Sequence, residues 1–319
     1  MKKKWLSRLV SLIFLWIFLT SSSWAGQVVT EDVRSWAKEA LEQEKALKTI
    51  SAPDTVAVLY FCNETGWSDL DPLQKGLTIM LMTDLSKLKD IKVVERVKLQ
   101  ALVEELDLGV SGLVESETAS RVGRLLGAEH LVGGDIIKGK IDSFQLESSL
   151  LKVPTEEVIG YPTAEGELLR ELFRMEKDLL FEIIELLEVE VSPEQEADLR
   201  EPLTTNLKAL LYLFQAIQES DLRNYAKAAQ FYQRALEEDP NLHQAKDFLQ
   251  ELDSLDSLQE LDSLGLIPAP RKKSGALIQS LRDQTSLTDG LSYGDVQKRE
   301  KTPGDIEKRG DTGQVRVEW

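Results

Sequence analysis

The sequence has little sulfur and almost no imidazole, with one cysteine and two histidines in 319 residues. Cys62 has no second cysteine with which to form an internal disulfide, and its apolar surroundings, VAVLYFC, favour a buried and inert thiol over a nucleophile. His130 and His243 lie in different segments, and neither has a neighbour at the spacing of zinc ligands. We therefore expect neither a metal site nor a catalytic thiol.

The glycine motifs of common nucleotide and hydrolase sites are also missing. The sequence contains no G-x-x-x-x-G-K-[ST], no G-x-G-x-x-G and no G-x-S-x-G. Carboxylates such as Glu104, Glu105 and Asp107 are typical of a solvated helix face. We predict a protein that is not an enzyme, with no catalytic residue and no cofactor.

Positive charge is scarce. The chain has 38 lysines and arginines and 55 aspartates and glutamates, which gives a formal charge of -17. Removing four bases in the first eight residues changes this to -21 (-17 minus 4). Such an acidic protein does not suit nucleic acid, whose phosphates must be neutralised by lysine and arginine. We therefore predict no nucleic-acid partner.

The N-terminal segment MKKKWLSRLVSLIFLWIFLTSSSWAGQ has the pattern of a secretory signal peptide. A basic start precedes an apolar run over 9–19, and small residues lead to a predicted cut between Ala25 and Gly26. The run is shorter than the roughly 18 residues of a membrane-spanning helix, so an uncleaved anchor is the weaker alternative. No cysteine lies near the cut for lipid attachment. The pattern predicts export to the periplasm.

Strand and helix patterns alternate between residues 54 and 137, after an amphipathic helix predicted over 30–48. Short apolar strands separated by helices are typical of a two-layer or three-layer α/β domain. The predicted order is strand 55–63, helix 73–89 opened by Asp71 and Pro72, strand 91–97, helix 98–109, helix 116–126 and strand 128–137.

The segment LLGAEHLVGGDI, residues 125–136, holds three glycines and a histidine. In a phosphate loop a strand comes first and glycines lead into a helix, whereas here a helix ends and a strand follows. Gly127 suits the left-handed cap of that helix. Gly133 and Gly134 suit a bulge or the close approach of a helix, and His130 is interpreted as a strand-start residue.

Beyond the closing strand, residues 144–150 alternate apolar and polar side chains, which predicts an antiparallel strand added to the edge of the sheet. Residues 163–187 carry apolar side chains at helical spacing, with Glu176 inside the stripe. We expect one long amphipathic helix there, packed against the core.

A helical pair over about 209–242 resembles a tetratricopeptide (TPR) repeat. The matching residues are Tyr212, Ala216, Tyr225, Ala228, Tyr232, Ala235 and Pro240. Because one repeat cannot bury its own apolar face, we expect it to pack on the neighbouring helices. Tyr212, Tyr225 and Tyr232 are candidate partner-binding residues, while packing within the repeat is the alternative role of Tyr225 and Tyr232.

From Ser254 the composition becomes repetitive and polar, which predicts a disordered tail. From Arg271 the tail has ten basic and eight acidic residues (+2), against about -23 (-21 minus 2) for the preceding body. Its ending, QVRVEW, alternates and closes on an aromatic residue. This resembles the assembly signal of outer-membrane barrels, but the chain lacks the many alternating strands that a barrel requires.

Residues 55–137 contain, in order, VAVLYFCNETG, LQKGLTIMLMTDLSK, VVERVKLQALVEEL and LGVSGLVESETASRVGRLLGAEHLVGGDI. They give a strand with an Asn and Gly turn, a helix, a strand ending in Val-Val-Glu-Arg, and a closing helix and strand. This order of motifs resembles the CsgG family of curli export. Exported α/β domains of the FlgO-like and TolB N-terminal groups are similar as well.

The resemblance implies a periplasmic domain used as an assembly or interaction unit. Family members form outer-membrane secretion channels by inserting β-hairpins into a ring of periplasmic domains. A membrane hairpin needs two strands of about 9 to 11 alternating residues, and here only 144–150 alternates. A lipidated cysteine is also missing. We therefore do not expect the pore.

These patterns together predict an α/β (or α+β) fold: a small sheet flanked by helices, followed by a helical TPR-like extension and a disordered tail. The expected division is a signal peptide over 1–25, an α/β domain with its N-terminal helix over 26–160, a helical region over 161–253 and a tail over 254–319.

The expected function is that of a non-enzymatic periplasmic scaffold, or an accessory of assembly or transport. It would bind protein partners in the cell envelope through the α/β domain and the TPR-like helices. An outer-membrane secretion-channel component and a periplasmic ligand-binding protein are the alternatives. The sequence leaves open a homo-oligomer and a peripheral association with the outer membrane.

Overall fold

The computed structural model describes residues 27–44, 52–109, 113, 116–139 and 143–254. The described strands are β1 (Thr55–Val58), β2 (Cys62–Asn63), β3 (Lys92–Val93), β4 (His130–Lys138), β5 (Phe144–Lys152), β6 (Glu157–Gly160) and β7 (Thr163–Gly166). The described helices are α1 (Glu31–Glu42), α2 (Asp71–Leu85), α3 (Arg96–Glu105), α4 (Ser116–Leu126), α5 (Leu168–Leu186), α6 (Pro193–Arg200), α7 (Leu207–Asp221), α8 (Tyr225–Glu238) and α9 (His243–Ser254).

The seven strands form one mixed sheet in the order β3, β1, β4, β5, β6, with β2 paired to β4 and β7 paired to β5. Strand β1 is parallel to β3 and β4, whereas β4 and β5 form a long antiparallel hairpin. The α/β fold class is therefore confirmed.

Side chains of alternate residues in β1 enter two different cores, because successive residues of a strand point to opposite faces. Val56 and Val58 join the larger core, with helices α2, α5, α7, α8 and α9. Ala57 and Leu59 join the smaller core, with α1, α3 and α4. The apolar run that predicted a strand covered on both faces is thus confirmed.

Two glycines allow close contacts in this arrangement. A Cβ at Gly76 in α2 would lie 2.4 Å from the Phe214 ring in α7, so the helical pair approaches the sheet domain closely there. A Cβ at Gly134 in β4 would lie 2.2 Å from the Glu147 carbonyl oxygen in β5. The close neighbour of Gly134 is thus the paired strand β5, and neither the predicted helix nor the predicted bulge is found there. Gly127 has the left-handed φ of 68° expected after α4.

The strand predicted over 55–63 is interrupted. Leu59 still donates its N–H to the Val132 carbonyl in β4 (2.8 Å), but Phe61 donates its N–H to the Gln74 carbonyl in α2 (3.2 Å). The chain thereby moves from the β1 position to pair again, as β2, farther along β4.

The helix predicted from Thr163 begins later, at Leu168. Residues 163–166 form β7, paired with β5, with Ala164 buried between exposed Thr163 and Glu165. The strand predicted over 144–150 extends to Lys152 and has β6 and β7 beyond it, so it lies inside the sheet and the edge placement was wrong. The first helix ends at Glu42, and residues 45–48 of its predicted range lie outside the described residues.

Helices α7 and α8 form an antiparallel pair in which α7 packs on α2 and α8 packs on α9. Asn206 caps α7 by accepting the N–H of Lys208 and Ala209. Assignment of this pair as a TPR repeat stays a prediction. In the described part of the chain, none of the helices combines the length and apolarity needed to cross a membrane.

Candidate interaction groove

A groove of about 590 Å³ lies beside strand β3, between α2 and the first half of α9. It is lined by Gln27, Ile79, Met82, Thr83, Ser86, Lys87, Ile91, Val93, Val94, Glu95, Arg96, Gln244 and Phe248. The N-terminal segment, the sheet and the last described helix all contribute to it. The groove is therefore a feature of the assembled chain and not of one helix or strand.

Strand β3 is an edge of the sheet and faces the groove with its backbone. Lys92 and Val94 donate their N–H groups toward β1, to the carbonyl oxygens of Asp54 (2.8 Å) and Val56 (2.8 Å). Since successive residues of a strand direct their backbone groups to opposite sides, the N–H and C=O of Val93 point away from β1. An edge of this kind is a template on which another extended segment can pair.

Apolar side chains form part of the lining beside this edge, whereas Lys87, Glu95 and Arg96 are charged and four other lining residues are polar. Ile79 and Phe248 are buried, and Met82 and Val93 are partly buried against the larger core. Tyr232 of α8 supports Phe248 edge-to-face, with the ring centroids 5.8 Å apart. The groove thus combines backbone hydrogen-bonding groups with an apolar wall, which is the arrangement that binds extended peptides.

Arg96 joins three parts of the chain at the end of the groove. Its guanidinium is 1% exposed and binds both Asp221 carboxylate oxygens at 2.8 to 3.1 Å. It also donates to the Gln27 carbonyl oxygen (2.5 Å) and to the Tyr60 hydroxyl (3.1 Å). Burial disfavours the charge, but Asp221 and Tyr60 outweigh this and hold the pKa of Arg96 above its ordinary value.

Lys75 is a second cation on the same carboxylate, with 2.6 Å between its Nζ and Asp221. Burial lowers the pKa of Lys75 and raises that of Tyr60 above the ordinary range of a phenol. Such paired charges, 1% to 17% exposed, fix the α7 end of the helical pair to the sheet. They join α7 to α2 and α3, two of the helices next to the groove.

Helix α9 is attached to the start of the described chain. The Glu251 carboxylate accepts the backbone N–H of Gln27 (2.7 Å) and of Val28 (3.0 Å). Charge-assisted bonds of this kind are stronger than neutral ones. The far wall of the groove is therefore held by its packing on α8 and by this clamp.

A second buried polar cluster lies between α2 and α5, and its Asp84 also pairs with Lys87 of the groove lining (3.0 Å). Lys177 binds Asp84, and its Nζ lies 3.4 Å from the Glu176 carboxylate. Burial, and then the charge of Asp84, raises the pKa of Glu176 well above the ordinary 4.5. Glu176 is 0% exposed, so this cluster has no access to a substrate.

Cys62 and His130 are placed as their sequence context predicts. Cys62 is buried, and burial together with a 3.1 Å hydrogen bond to Glu64 raises its thiol pKa to about 12. His130 begins β4, where burial lowers its pKa. Within the ranges that the structure describes, no group of three or more His, Cys, Asp or Glu side chains is arranged to hold a metal ion.

The three candidate tyrosines are not brought together at an exposed surface. Tyr212 and Tyr232 are buried, and Tyr225 is partly buried. Tyr212 stacks on Phe231, with 6.3 Å between ring centroids. These positions favour packing within the helical pair, and contact with a partner stays a prediction. The predicted cleavage residues, Ala25 and Gly26, lie outside the described residues.

Sequence reasoning did not identify Arg96, Asp221 or Phe248. Arg96 was visible only as the last residue of the Val-Val-Glu-Arg element in the family resemblance. Asp221 is one carboxylate among 55 acidic residues, and its partner is 125 positions away, so composition and periodicity carry no signal for the pair.

Residues 37–139 match the family described as "Curli production assembly/transport component CsgG". The match confirms the resemblance predicted from residues 55–137 and includes α1 from Ala37 onward. It covers about a third of the 319-residue chain. No curated protein has a significant sequence match to this chain.

Three solved structures are similar to part of the chain. The LpoB C-terminal domain from Salmonella enterica has 20% identity and a TM-score of 0.31, covering 41% of this chain and 98% of that one. The LpoB C-terminal domain from Escherichia coli has 18% identity and a TM-score of 0.30, covering 42% and 98%. Lipoprotein GNA1162 from Neisseria meningitidis has 11% identity and a TM-score of 0.31, covering 36% and 80%.

Proposed function

We propose that the chain is a non-enzymatic periplasmic scaffold, or an accessory protein of assembly or transport, of the CsgG-like class. The family description over residues 37–139 supports a role in assembly or transport. The chain would act through an α/β domain over 26–160 and a helical region over 161–253, binding a protein partner of the cell envelope with both.

The groove beside β3 is the observation that carries this proposal. Its strand edge and α2 wall come from the region that matches the family, and its α9 wall comes from the helical region. The proposed partner inserts an extended segment that pairs with Val93 and packs an apolar side chain against Met82 and Phe248. Pairing of backbone groups then provides affinity, and the apolar wall selects the side chains.

Capture of partners from envelope extracts tests the groove directly. Met82→Glu places a charge on the α2 wall without removing a fully buried side chain, and we expect it to lose the captured partner. Tyr161→Ser is the matched control, because Tyr161 is 68% exposed and lies between β6 and β7, outside the groove. Equal capture by both variants, with unchanged circular dichroism, would contradict the proposal.

Export is part of the same proposal. We propose that the chain is cleaved between Ala25 and Gly26 and functions in the periplasm, with peripheral association with the outer membrane where the partner lies there. Intact-mass measurement of the purified chain and fractionation of cells test this. An uncleaved chain in the cytoplasmic fraction would exclude it.

An outer-membrane secretion-channel component is the second candidate, favoured by the word "transport" in the family description. It requires a ring of copies and a conducting pore. Size-exclusion chromatography with light scattering and conductance across a planar bilayer distinguish the two. A monomer without conductance supports the scaffold, whereas a conducting ring supports the channel.

A further inference from the structure

We infer that residues 314–319, the QVRVEW segment, occupy the groove of their own molecule as an added strand beside β3. The inference concerns the groove of the proposed function, but it does not require that a partner exists. In that arrangement the tail segment competes with any partner for the groove.

The QVRVEW segment has the chemistry of a strand that is apolar on one face. Val315, Val317 and Trp319 alternate with Gln314, Arg316 and Glu318. β-Branched and aromatic residues favour strands, and this alternation places three apolar side chains on one side. Beside β3, that side would face the α2 and α9 walls, and the polar side would face solvent.

The groove offers what such a strand needs. Val93 directs its backbone groups away from β1, and β3 pairs with no other strand in the described part of the chain. Met82 and Phe248 supply apolar surface next to that edge. Pairing there would cover an exposed sheet edge, which proteins commonly protect against other chains.

The connection is long enough. The described chain ends at Ser254 in α9, and Phe248 on the same helix lines the groove six residues earlier. That separation along a helix is about 9 Å. The sixty or so residues between α9 and the QVRVEW segment have a root-mean-square span of about 40 Å if they are as disordered as their composition predicts. The segment therefore reaches the groove without strain.

Tethering and charge both favour the intramolecular occupant over a second copy. A flexible tether presents the segment at about millimolar effective concentration. Two copies whose bodies each carry about -23 repel each other, and this repulsion disfavours occupation by the tail of another molecule.

Disulfide trapping tests the inference on the full chain. Opposite residues of paired strands have Cα atoms about 4.5 to 5.5 Å apart, which suits a disulfide. We expect Val93→Cys combined with Val317→Cys, or with Val315→Cys in the alternative register, to close an intramolecular disulfide at least 10-fold faster than the control. The control combines Tyr161→Cys with Val317→Cys, because the same tail reaches an exposed position outside the groove. Mass spectrometry and non-reducing gels at micromolar concentration give the rates.

Equal rates in both pairs would overturn the inference, and so would a dimer that is the only crosslinked product, because that identifies a second copy as the occupant. A second measurement uses no cysteine. Removing residues 310–319 should speed hydrogen exchange at residues 91–95 at least 10-fold, and unchanged exchange would also overturn it.

Partner capture by the shortened chain separates this inference from the proposed function. If the tail does not crosslink but Met82→Glu still loses the partner, the groove binds partners without its own tail. If the tail crosslinks and no partner is captured by the chain lacking 310–319, the groove is an internal contact alone.

Discussion

Arg96 shows how much of this structure depends on one side chain far from its partner in sequence. Its guanidinium satisfies Asp221, Tyr60 and the Gln27 carbonyl at once. Each of these groups loses one partner when the guanidinium is removed, while Asp221 keeps Lys75 (2.6 Å) and Tyr60 keeps Gln100 (2.9 Å). A buried polar group that loses a partner bears part of its desolvation cost.

Replacing Arg96 by Gln should therefore destabilise the chain by about 3 to 5 kcal/mol, because Asp221 becomes a buried charge with less compensation. Urea unfolding measures the change. Arg170→Gln is the control, since Arg170 pairs with Glu167 at the surface, and exposed pairs contribute about 0 to 1 kcal/mol. Equal destabilisation by the two substitutions would contradict the anchoring role of Arg96.

A substitution at Gly76 tests the close contact between α2 and α7. Gly76→Ala should destabilise the chain by about 1 to 2 kcal/mol, because overpacking against Phe214 costs about 1 to 3 kcal/mol and outweighs the roughly 1 kcal/mol gain in helix propensity. Adding Phe214→Leu to Gly76→Ala should restore part of the loss. Thermal unfolding of the single and double variants measures this, and a Gly76→Ala protein more stable than the wild type would refute the close approach of α2 and α7.

Glu176 predicts a pH dependence. Its folded pKa is raised by burial and by Asp84, so the folded state holds a proton that the unfolded state releases near pH 4.5. The contribution of Glu176 to the unfolding free energy is fully present below pH 4.5, and it is lost as the pH rises toward the folded pKa. Glu176→Gln should flatten the decline in unfolding free energy above pH 4.5, while the exposed Glu185→Gln on the same helix should not. Parallel profiles for Glu176→Gln and the wild type would contradict this.

At the scale of elements, the sequence located most helices and strands, because their patterns are local. Helix α2 begins at Asp71 with Pro72 in its first turn, as expected, and Ser116 begins α4. The strand 163–166 was assigned to a helix because four residues with only one buried side chain, Ala164, carry no periodicity of their own. They become a strand through pairing with β5, and that pairing is a tertiary contact that local patterns do not contain.

The groove could not be predicted in the same way. Each of its walls is an ordinary amphipathic element in the sequence, and Met82 and Phe248 look like any core residue at helical spacing. Their relation depends on α9 returning to the N-terminal segment, through contacts more than 220 residues apart. The aromatic pattern over 209–242 directed attention to Tyr212 and Tyr232, which turned out to be buried.

Glu251 is the residue through which the position of α9 can be tested. Glu251→Gln should weaken the two bonds to the N–H groups of Gln27 and Val28, costing about 1 to 2 kcal/mol because a charged acceptor is replaced by a neutral one. Hydrogen exchange at residues 27–29 and in α9 should rise. The exposed Glu237→Gln in α8 is the control, and unchanged exchange in the Glu251 variant would show that packing alone holds α9.

For the whole molecule, the larger core runs without a break from the sheet to the last described helix, including Val56, Met80, Phe214 and Leu252. The sheet and the helical pair share this apolar interior in addition to the Arg96 and Asp221 pair. Neither part has a separate core on the α2 side. We therefore expect the two parts to lose their structure together.

Urea unfolding should show one transition. In a chain with Trp319→Phe, which removes the tail tryptophan, the fluorescence of Trp36 and Trp67 reports on the sheet region. Circular dichroism at 222 nm reports largely on the helices, including α7 to α9, which contain no tryptophan. The two signals should have the same midpoint, as expected for a cooperative unit. Midpoints that differ by more than the experimental error would show that the helical region unfolds independently.

The clamp between Gln27 and Glu251 also affects the order in which parts of the chain fold. A chain is made from its N-terminus, so residues 27 and 28 wait until almost all of the described sequence has appeared before their acceptor exists. Closing so long a loop is slow, because the intervening chain loses conformational entropy before the new contact can offset that loss. The groove, whose α9 wall this clamp holds in place, should accordingly be among the last features to form, and we expect a newly made chain to lack the complete groove until its folding is nearly finished.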